Sequence, residues 1–279
     1  MANAGARRIR VLEADPDLAT GLDPAQTVAA ERALVVPLVT VDWRTQAEGW
    51  GPRDPAGYLG LLVVEGLILR EVELLGIHSA ELLGFGDLLR PWDADGEEEL
   101  PVPAHVTWRV LEPVSLAALD PVFVRLAASW PVVLSALARR AVLRAKFMAL
   151  NDAITNVNRV DTRLLLLFWH LAERWGKVGL DSVLVPLPLS HKTLGKLIGA
   201  ARPSVTTALS ALADRDLLLR EEGGWLLSRD VEQAFGPMAA TREAPRHQMR
   251  APASPAGRSF APTPPARTGA PLSARLEPS

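Results

Sequence analysis

The stretch that most restricts how this chain can fold is residues 189–220, LSHKTLGKLIGAARPSVTTALSALADRDLLLR. It reads as two short helices broken at Gly199. Ser190 is placed to cap the first helix, because its hydroxyl can satisfy a free backbone N–H of the opening turn. Leu194, Leu197 and Ile198 follow on one face. Gly199 tolerates the left-handed conformation that ends a helix. Arg202 and Pro203 restart the chain, since proline suits the first turn, where its missing N–H is no loss. In the second helix Val205, Ala208, Leu209 and Leu212 form the inward stripe, so Pro203, Thr206, Thr207 and Ser210 face away. An apolar-backed helix with a hydroxylic outer face and an arginine at its start suits insertion into a DNA major groove.

The plain alternative is a helical hairpin inside a larger core. Three features favour DNA. The turn is short and contains glycine, the helix-turn-helix form. Lys192, Lys196, Arg202, Arg215 and Arg220 outnumber Asp214 and Asp216 across the stretch. Two apolar-rich runs, 217–220 and 225–228, then flank the turn 221–224, which predicts a β-hairpin and hence a winged helix.

Charge distribution agrees. The net formal charge is −2, but residues 1–130 carry 10 Lys/Arg against 20 Asp/Glu, and residues 131–235 carry 14 against 10. An acidic front and a basic rear suit a regulator whose rear meets phosphate, although chance variation gives the same numbers. The chain of 279 residues is long enough for about two domains. No apolar run can span a bilayer and no apolar signal core follows the N-terminal arginines, so the expected location is the cytoplasm. With no cysteine, disulfides, thiolate nucleophiles and cysteine-ligated clusters are excluded.

Before the helix-turn-helix the pattern changes twice. Residues 1–30 read as helical or irregular, with turns or helix starts at Asp15–Pro16 and Asp23–Pro24. From 34 to 119 come short apolar runs, at 34–41, 59–64, 67–72, 80–83, 106–111 and 115–119, separated in part by Gly66, Gly76, Gly84 and Gly86. That spacing predicts a β-sandwich or jelly roll, with Trp43, Trp50 and Trp92 as core or rim aromatics. The acidic run 93–99 reads as a solvated loop. Between 121 and 175 the period is helical. Val133, Leu137, Ala141, Arg144, Met148, Asn151 and Thr155 mark a long helix, its stripe broadened by Leu134, Ala138, Ala145 and Leu150, that can pack on its own β-domain and on a second copy, with Arg144 or Asn151 setting partner geometry; a core helix within the chain is the plain alternative. Asp161 can cap a next helix, 162–175, apolar almost all round and therefore buried. After Gly236 the composition collapses to Ala, Pro, Arg, Ser and Thr, which predicts a disordered tail.

The predicted architecture is thus α+β: a β-domain over 1–130, a dimerisation helix over 131–160, a winged helix-turn-helix over 161–235 and a tail over 236–279. It resembles the Crp/Fnr family of bacterial transcription regulators. The resemblance rests on Gly84–Phe85–Gly86–Asp87, similar to the start of that family's phosphate-binding cassette; on WRVLEPVSLAAL at 108–119, similar to its closing strands; on VDTRLL at 160–165, similar to its hinge; and on residues 190–212. It implies a homodimer that binds double-stranded DNA and acts with RNA polymerase.

Two departures matter. Asp87 stands where the family has glutamate, and the family's Arg-Ser pair falls on Ala104 and His105. Without an arginine there is no bidentate partner for a buried phosphate. The expectation is an effector that is not a cyclic nucleotide, or none; Arg70, Arg90 and Arg109 are the possible substitutes. The recognition helix keeps Arg202 and the Ser204 hydroxyl, but Pro203 and Thr207 stand where the family often has an acidic and a second basic residue, so its common half-site does not carry over.

Arg202 is the expected base-reading residue, since arginine on the guanine edge is the commonest specific contact. Pro203, Thr206 and Thr207 can meet thymine methyls or base edges, while Ser204 and Ser210 suit phosphate. Ser190, His191, Lys192 and Lys196 lie on the first helix and can hold the DNA backbone. Exposed surface is the bland reading for each. His78, His105 and His170 are scattered without readable partner ligands, so no metal and no cofactor is expected. No catalytic motif is present and an enzyme is not expected. The rivals are an interaction protein that has lost its DNA contacts, and a cyclic-nucleotide regulator with an unusual phosphate partner.

Overall fold

The computed structural model describes residues 7–42, 50–52, 54–93 and 104–231. The predicted acidic loop, apart from its first residue, Trp43 and the tail beyond Gly236 lie outside them. Six strands form one antiparallel sheet: β1 (Arg8–Arg10), β2 (Val35–Val41), β3 (Gly60–Leu74), β4 (Ile77–Leu83), β5 (Leu88–Leu89) and β6 (His105–Leu119). The order is β1-β2-β6-β3-β4, with β5 beside β3. The runs expected as four separate strands are two long ones. Gly66 is a bend within β3, where the pairing with β6 slips register three times between Val63 and Ile68. Its φ is +91°, and a Cβ there would lie 2.1 Å from the Pro113 carbonyl oxygen. A bulge at a glycine bends a strand without ending it.

Alternation along the strands supplies separate cores. Leu61, Val63, Leu83, Leu116 and Trp50 pack together on one side of the sheet. Leu62, Ala117 and Leu119 face the other way, onto helices from both ends of the domain. These are α1 (Val11–Ala14), α3 (Pro121–Ala127) and α4 (Pro131–Thr155), with α2 (Pro24–Ala33) adding Ala30. Asp23 begins α2 with a full capping box: its carboxylate accepts the Gln26 N–H at 2.8 Å, and Gln26 returns a bond to Asp23 N.

Helix α4 has two unlike faces. Val133, Leu137 and Ile154 are buried. Arg144 donates to Glu81 at 2.7 Å and to the Leu88 carbonyl, and Asn151 donates to the Ala80 carbonyl at 3.1 Å. Both were expected on a seam able to face a second copy; both are committed to their own β-domain. The opposite face, with Ala138, Val142, Ala145 and Ala149 at heptad spacing and Leu143 and Leu150 beside them, is exposed.

Helix α5 (Val160–Trp175) begins two residues earlier than expected. Arg159 occupies the cap position, and Asp161 sits within the first turn, bonded to Arg159 and to the Thr162 N–H. Arg159 holds the Asp161 carboxyl below its usual 3.8, with burial opposing. Leu164, Leu165, Leu167, Phe168 and Leu171 are buried. They hold together α6 (His191–Ile198), α7 (Arg202–Ala213) and a four-stranded sheet of order β7-β8-β10-β9. Its strands are β7 (Lys177–Val178), β8 (Ser182–Val185), β9 (Leu218–Glu221) and β10 (Gly224–Ser228). Leu67, Leu69, Ala80 and Leu82 of β3 and β4 belong to the same apolar cluster.

Candidate nucleic-acid interface

The interface is built from the α6–turn–α7 unit. Ser190 caps α6, its Oγ accepting the Thr193 N–H at 3.1 Å. Gly199 ends the helix at φ +62°, and the Ala200 N–H closes back on the Gly195 carbonyl at 2.8 Å, a Schellman pattern. Arg202 is the first residue of α7 and Pro203 the second. Val205, Ala208, Leu209 and Leu212 are buried, as their spacing requires. Pro203, Ser204, Thr206, Thr207 and Ser210 are exposed together with Arg202.

The hydroxyls on α7 are held by their own helix. Thr206 donates to the Arg202 carbonyl, Thr207 to that of Pro203 and Ser210 to that of Thr206, at 3.1–3.2 Å. Their outward side therefore presents acceptor lone pairs and, from the threonines, methyl groups. His191 Nδ1 lies 3.0 Å from Thr206 Oγ1 and ties α6 to α7. With the Thr206 proton on its own helix, the His191 ring is the donor.

The predicted wing is present: Trp225 pairs with Arg220 across β9 and β10. Trp225 is buried against Phe168 with ring centroids 5.1 Å apart. The Arg220 guanidinium lies over its ring at 4.8 Å and donates to the Leu189 carbonyl. Arg220, Ser190, His191, Lys192 and Arg202 then line one open cleft of about 400 Å3. Arg202 and Lys192 have no carboxylate partner among the described residues. Lys196 differs: its ammonium is paired with Glu71 of β3.

Arg163 was not singled out by the sequence. It donates to the Val157 carbonyl at 2.5 Å and to the carbonyls of Ile198 and Gly199 at 3.0 and 3.2 Å. It thus caps the C-terminus of α6, where cations are favoured, and binds the helix-turn-helix turn to the link after α4. Only its place in the hinge-like VDTRLL segment could have pointed to it.

The cassette-like residues are not gathered into one site. Gly86 and Phe85 form the turn before β5, and Gly86 lies against the Arg140 guanidinium. The buried Asp87 carboxylate accepts the Gly84 N–H at 2.8 Å and pairs with Arg174 of α5. Burial pushes its pKa above 3.8, with Arg174 opposing. His105, next to Ala104, pairs with Glu73 at the other end of β3. The three arginines that could substitute are engaged. Arg70 pairs with Glu81, Arg90 donates to the Tyr58 and Leu59 carbonyls, and Arg109 pairs with Glu71.

His78 and His170 stand apart from any ligand cluster; among the described residues no three His, Asp or Glu side chains converge as a metal site. Within the same residues no helix is long and apolar enough to cross a membrane.

Comparison with known proteins places this geometry. Residues 162–233 match the Crp-like helix-turn-helix domain. FixK2 from Bradyrhizobium japonicum superposes with a TM-score of 0.53 at 18% identity, over 73% of this chain and 97% of that one. A cyclic nucleotide-binding domain containing protein from Listeria monocytogenes gives 0.57 at 15%, over 70% and 90%. A CooA variant from Carboxydothermus hydrogenoformans gives 0.53 at 14%, over 72% and 87%. No curated protein matches the sequence. At such identities the likeness of the whole chain is one of fold, while the helix-turn-helix matches in sequence as well. Residues 162–233 are thus a Crp-like helix-turn-helix domain, carried behind an antiparallel sheet and a long helix in a fold shared with FixK2 and CooA.

Proposed function

We propose that the chain acts as a homodimer that reads a specific duplex sequence with α7 and responds to no cyclic nucleotide. The observation that carries the reading is the outer face of α7. Six residues, Arg202, Pro203, Ser204, Thr206, Thr207 and Ser210, stand exposed on one helix whose back is fully buried. Arg202 reads a guanine edge from the first turn. Pro203, Thr206 and Thr207 face bases, and Ser204 and Ser210 face phosphate. Ser190, His191 and Lys192 at the start of α6 hold the adjoining backbone. We infer that the chain is a transcription regulator of the Crp/Fnr kind, with RNA polymerase as its partner.

Dimerisation is supported by the exposed apolar face of α4, which has the 3.5-residue spacing of a coiled-coil seam. Two-fold symmetry would match two half-sites on DNA. Against a cyclic nucleotide stand the engagement of Arg70, Arg90 and Arg109 and the pairing of Asp87 with Arg174. A cyclic phosphate buried without a free cation leaves most of its desolvation cost unmet.

Immunoprecipitation of DNA bound to the tagged protein, followed by anisotropy on the recovered fragments, tests the reading. Discrete sites bound far more tightly than random duplex support it; uniform recovery of the genome refutes sequence-specific reading. Calorimetry with cAMP and cGMP tests the effector clause, which micromolar binding coupled to tighter DNA binding overturns.

A further inference from the structure

The β3–β4 hairpin reaches from the β-domain to the helix-turn-helix. Strand β4 lies against α6. Ile77 and His78, at the hairpin tip, share a cleft of about 400 Å3 with Lys192, Lys196, Gly199 and Arg202. Below the tip, Glu71 of β3 is buried, with 7% of its surface exposed. Its carboxylate meets cations from two directions. Lys196 of α6 pairs with one oxygen, and Arg109 of β6 lies 3.2 Å from the other. Lys192, one turn before Lys196 on the same face of α6, is exposed and unpaired among the described residues.

A carboxylate and a DNA phosphate make the same demand on an ammonium, and one lysine cannot meet both at full strength. Losing the sole partner of a buried carboxylate is costly, because an uncompensated charge is left behind. Here Arg109, at ion-pair distance but without a hydrogen bond to the carboxylate, stays beside Glu71 when Lys196 leaves, so release does not leave the charge without a counter-ion. We propose that Glu71 is an affinity-setting residue that acts as an internal stand-in for phosphate. It holds Lys196, and with it α6, on the hairpin, and DNA must displace it to gain that contact. The free protein therefore binds DNA more weakly than its helix-turn-helix would when released.

This rests on the reading of α6 and α7 as the DNA-binding unit. The test is anisotropy with a random-sequence duplex at several salt concentrations, on the full chain and three variants. Glu71→Gln keeps the shape and removes the charge. It is expected to bind about tenfold more tightly. The slope of log affinity against log salt should steepen by about 0.9, one more phosphate neutralised. Lys196→Gln alone should change affinity less than about twofold, yet abolish the whole gain when combined with Glu71→Gln. Should Glu71→Gln fail to fold, Glu71→Asp, which withdraws the carboxylate by one methylene, is expected to give a smaller gain in the same direction. Equal or weaker binding by a folded Glu71 variant overturns the proposal, as does strict additivity of the two substitutions. Failure of every protein, wild type included, to bind duplex would instead refute the DNA reading on which it rests.

Discussion

Arg202 and Lys192 share a cleft but are expected to fail differently when removed. Arg202→Ala should cost about 1–3 kcal/mol at a cognate site and relax one base position, because a base-edge contact is lost. Lys192→Ala should weaken binding to all duplexes alike and flatten the salt dependence. Anisotropy on matched and randomised sites distinguishes the two, and equal losses on both from Arg202→Ala would remove its base-reading role. His170 allows a pH prediction. Burial holds its imidazole below the usual 6.5; the nearby Arg174 pushes the same way and Glu173 opposes. Its ring packs on Phe147 at 4.7 Å. The folded chain thus refuses a proton that the unfolded chain accepts. This group's stabilisation is complete above pH 6.5 and declines as pH falls through that value. Melting temperature should drop less between pH 7 and pH 5.5 in His170→Gln than in the wild type. Residues whose partners are local were legible: the Ser190 cap and the Gly199 stop follow from spacing alone. The partners of Glu71, Asp87, Arg163 and Arg174 were not legible, because they lie tens of residues away and no spacing rule connects them.

Among the elements, the apolar period of α4 predicts one stripe able to pack on its own β-domain and on a second copy. Its Arg144 and Asn151 face inward, and a different face, with Val142, is exposed. Val142→Arg on the exposed face should convert the proposed dimer to monomer in sedimentation without lowering the monomer's own stability. Arg144→Ala should instead destabilise the fold by about 1.5 kcal/mol, since it removes one of the two cations on the part-buried Glu81 and leaves Arg70 in place. Retention of the dimer by Val142→Arg would reject that face as the interface. Strands β3 and β6 were read as four because glycine and proline commonly end strands. At Gly66 the same residue type makes a bulge, and Gly66→Ala should destabilise the chain by several kcal/mol, as both its φ and the nearby Pro113 carbonyl forbid a side chain. Thermal melting of the variant checks this; a near-native midpoint would contradict it.

For the molecule as a whole, order and class were legible from periodicity: alternating runs, then a long helical period, then two short helices and a hairpin. The way the rear half seats on the front half was not. That seating depends on which faces of β3 and β4 are left over once the sheet's own cores are filled, and alternation alone does not say where each face goes. One detail of it bears on DNA beyond a single contact. Arg163 joins the carbonyl of Val157, just past α4, to the carbonyls of Ile198 and Gly199 at the turn of the reading unit. The end of α4 and the turn are therefore tied to each other through one guanidinium. In a dimer built on α4, the two reading helices would be held at one separation and one relative rotation. Each inserted base pair changes both at once, lengthening the site by about 3.4 Å and turning one half past the other. Operators for this protein should accordingly admit a single spacing between half-sites. A site lengthened by one base pair should bind as poorly as one with a half-site erased, and Arg163→Met should restore tolerance to the longer site.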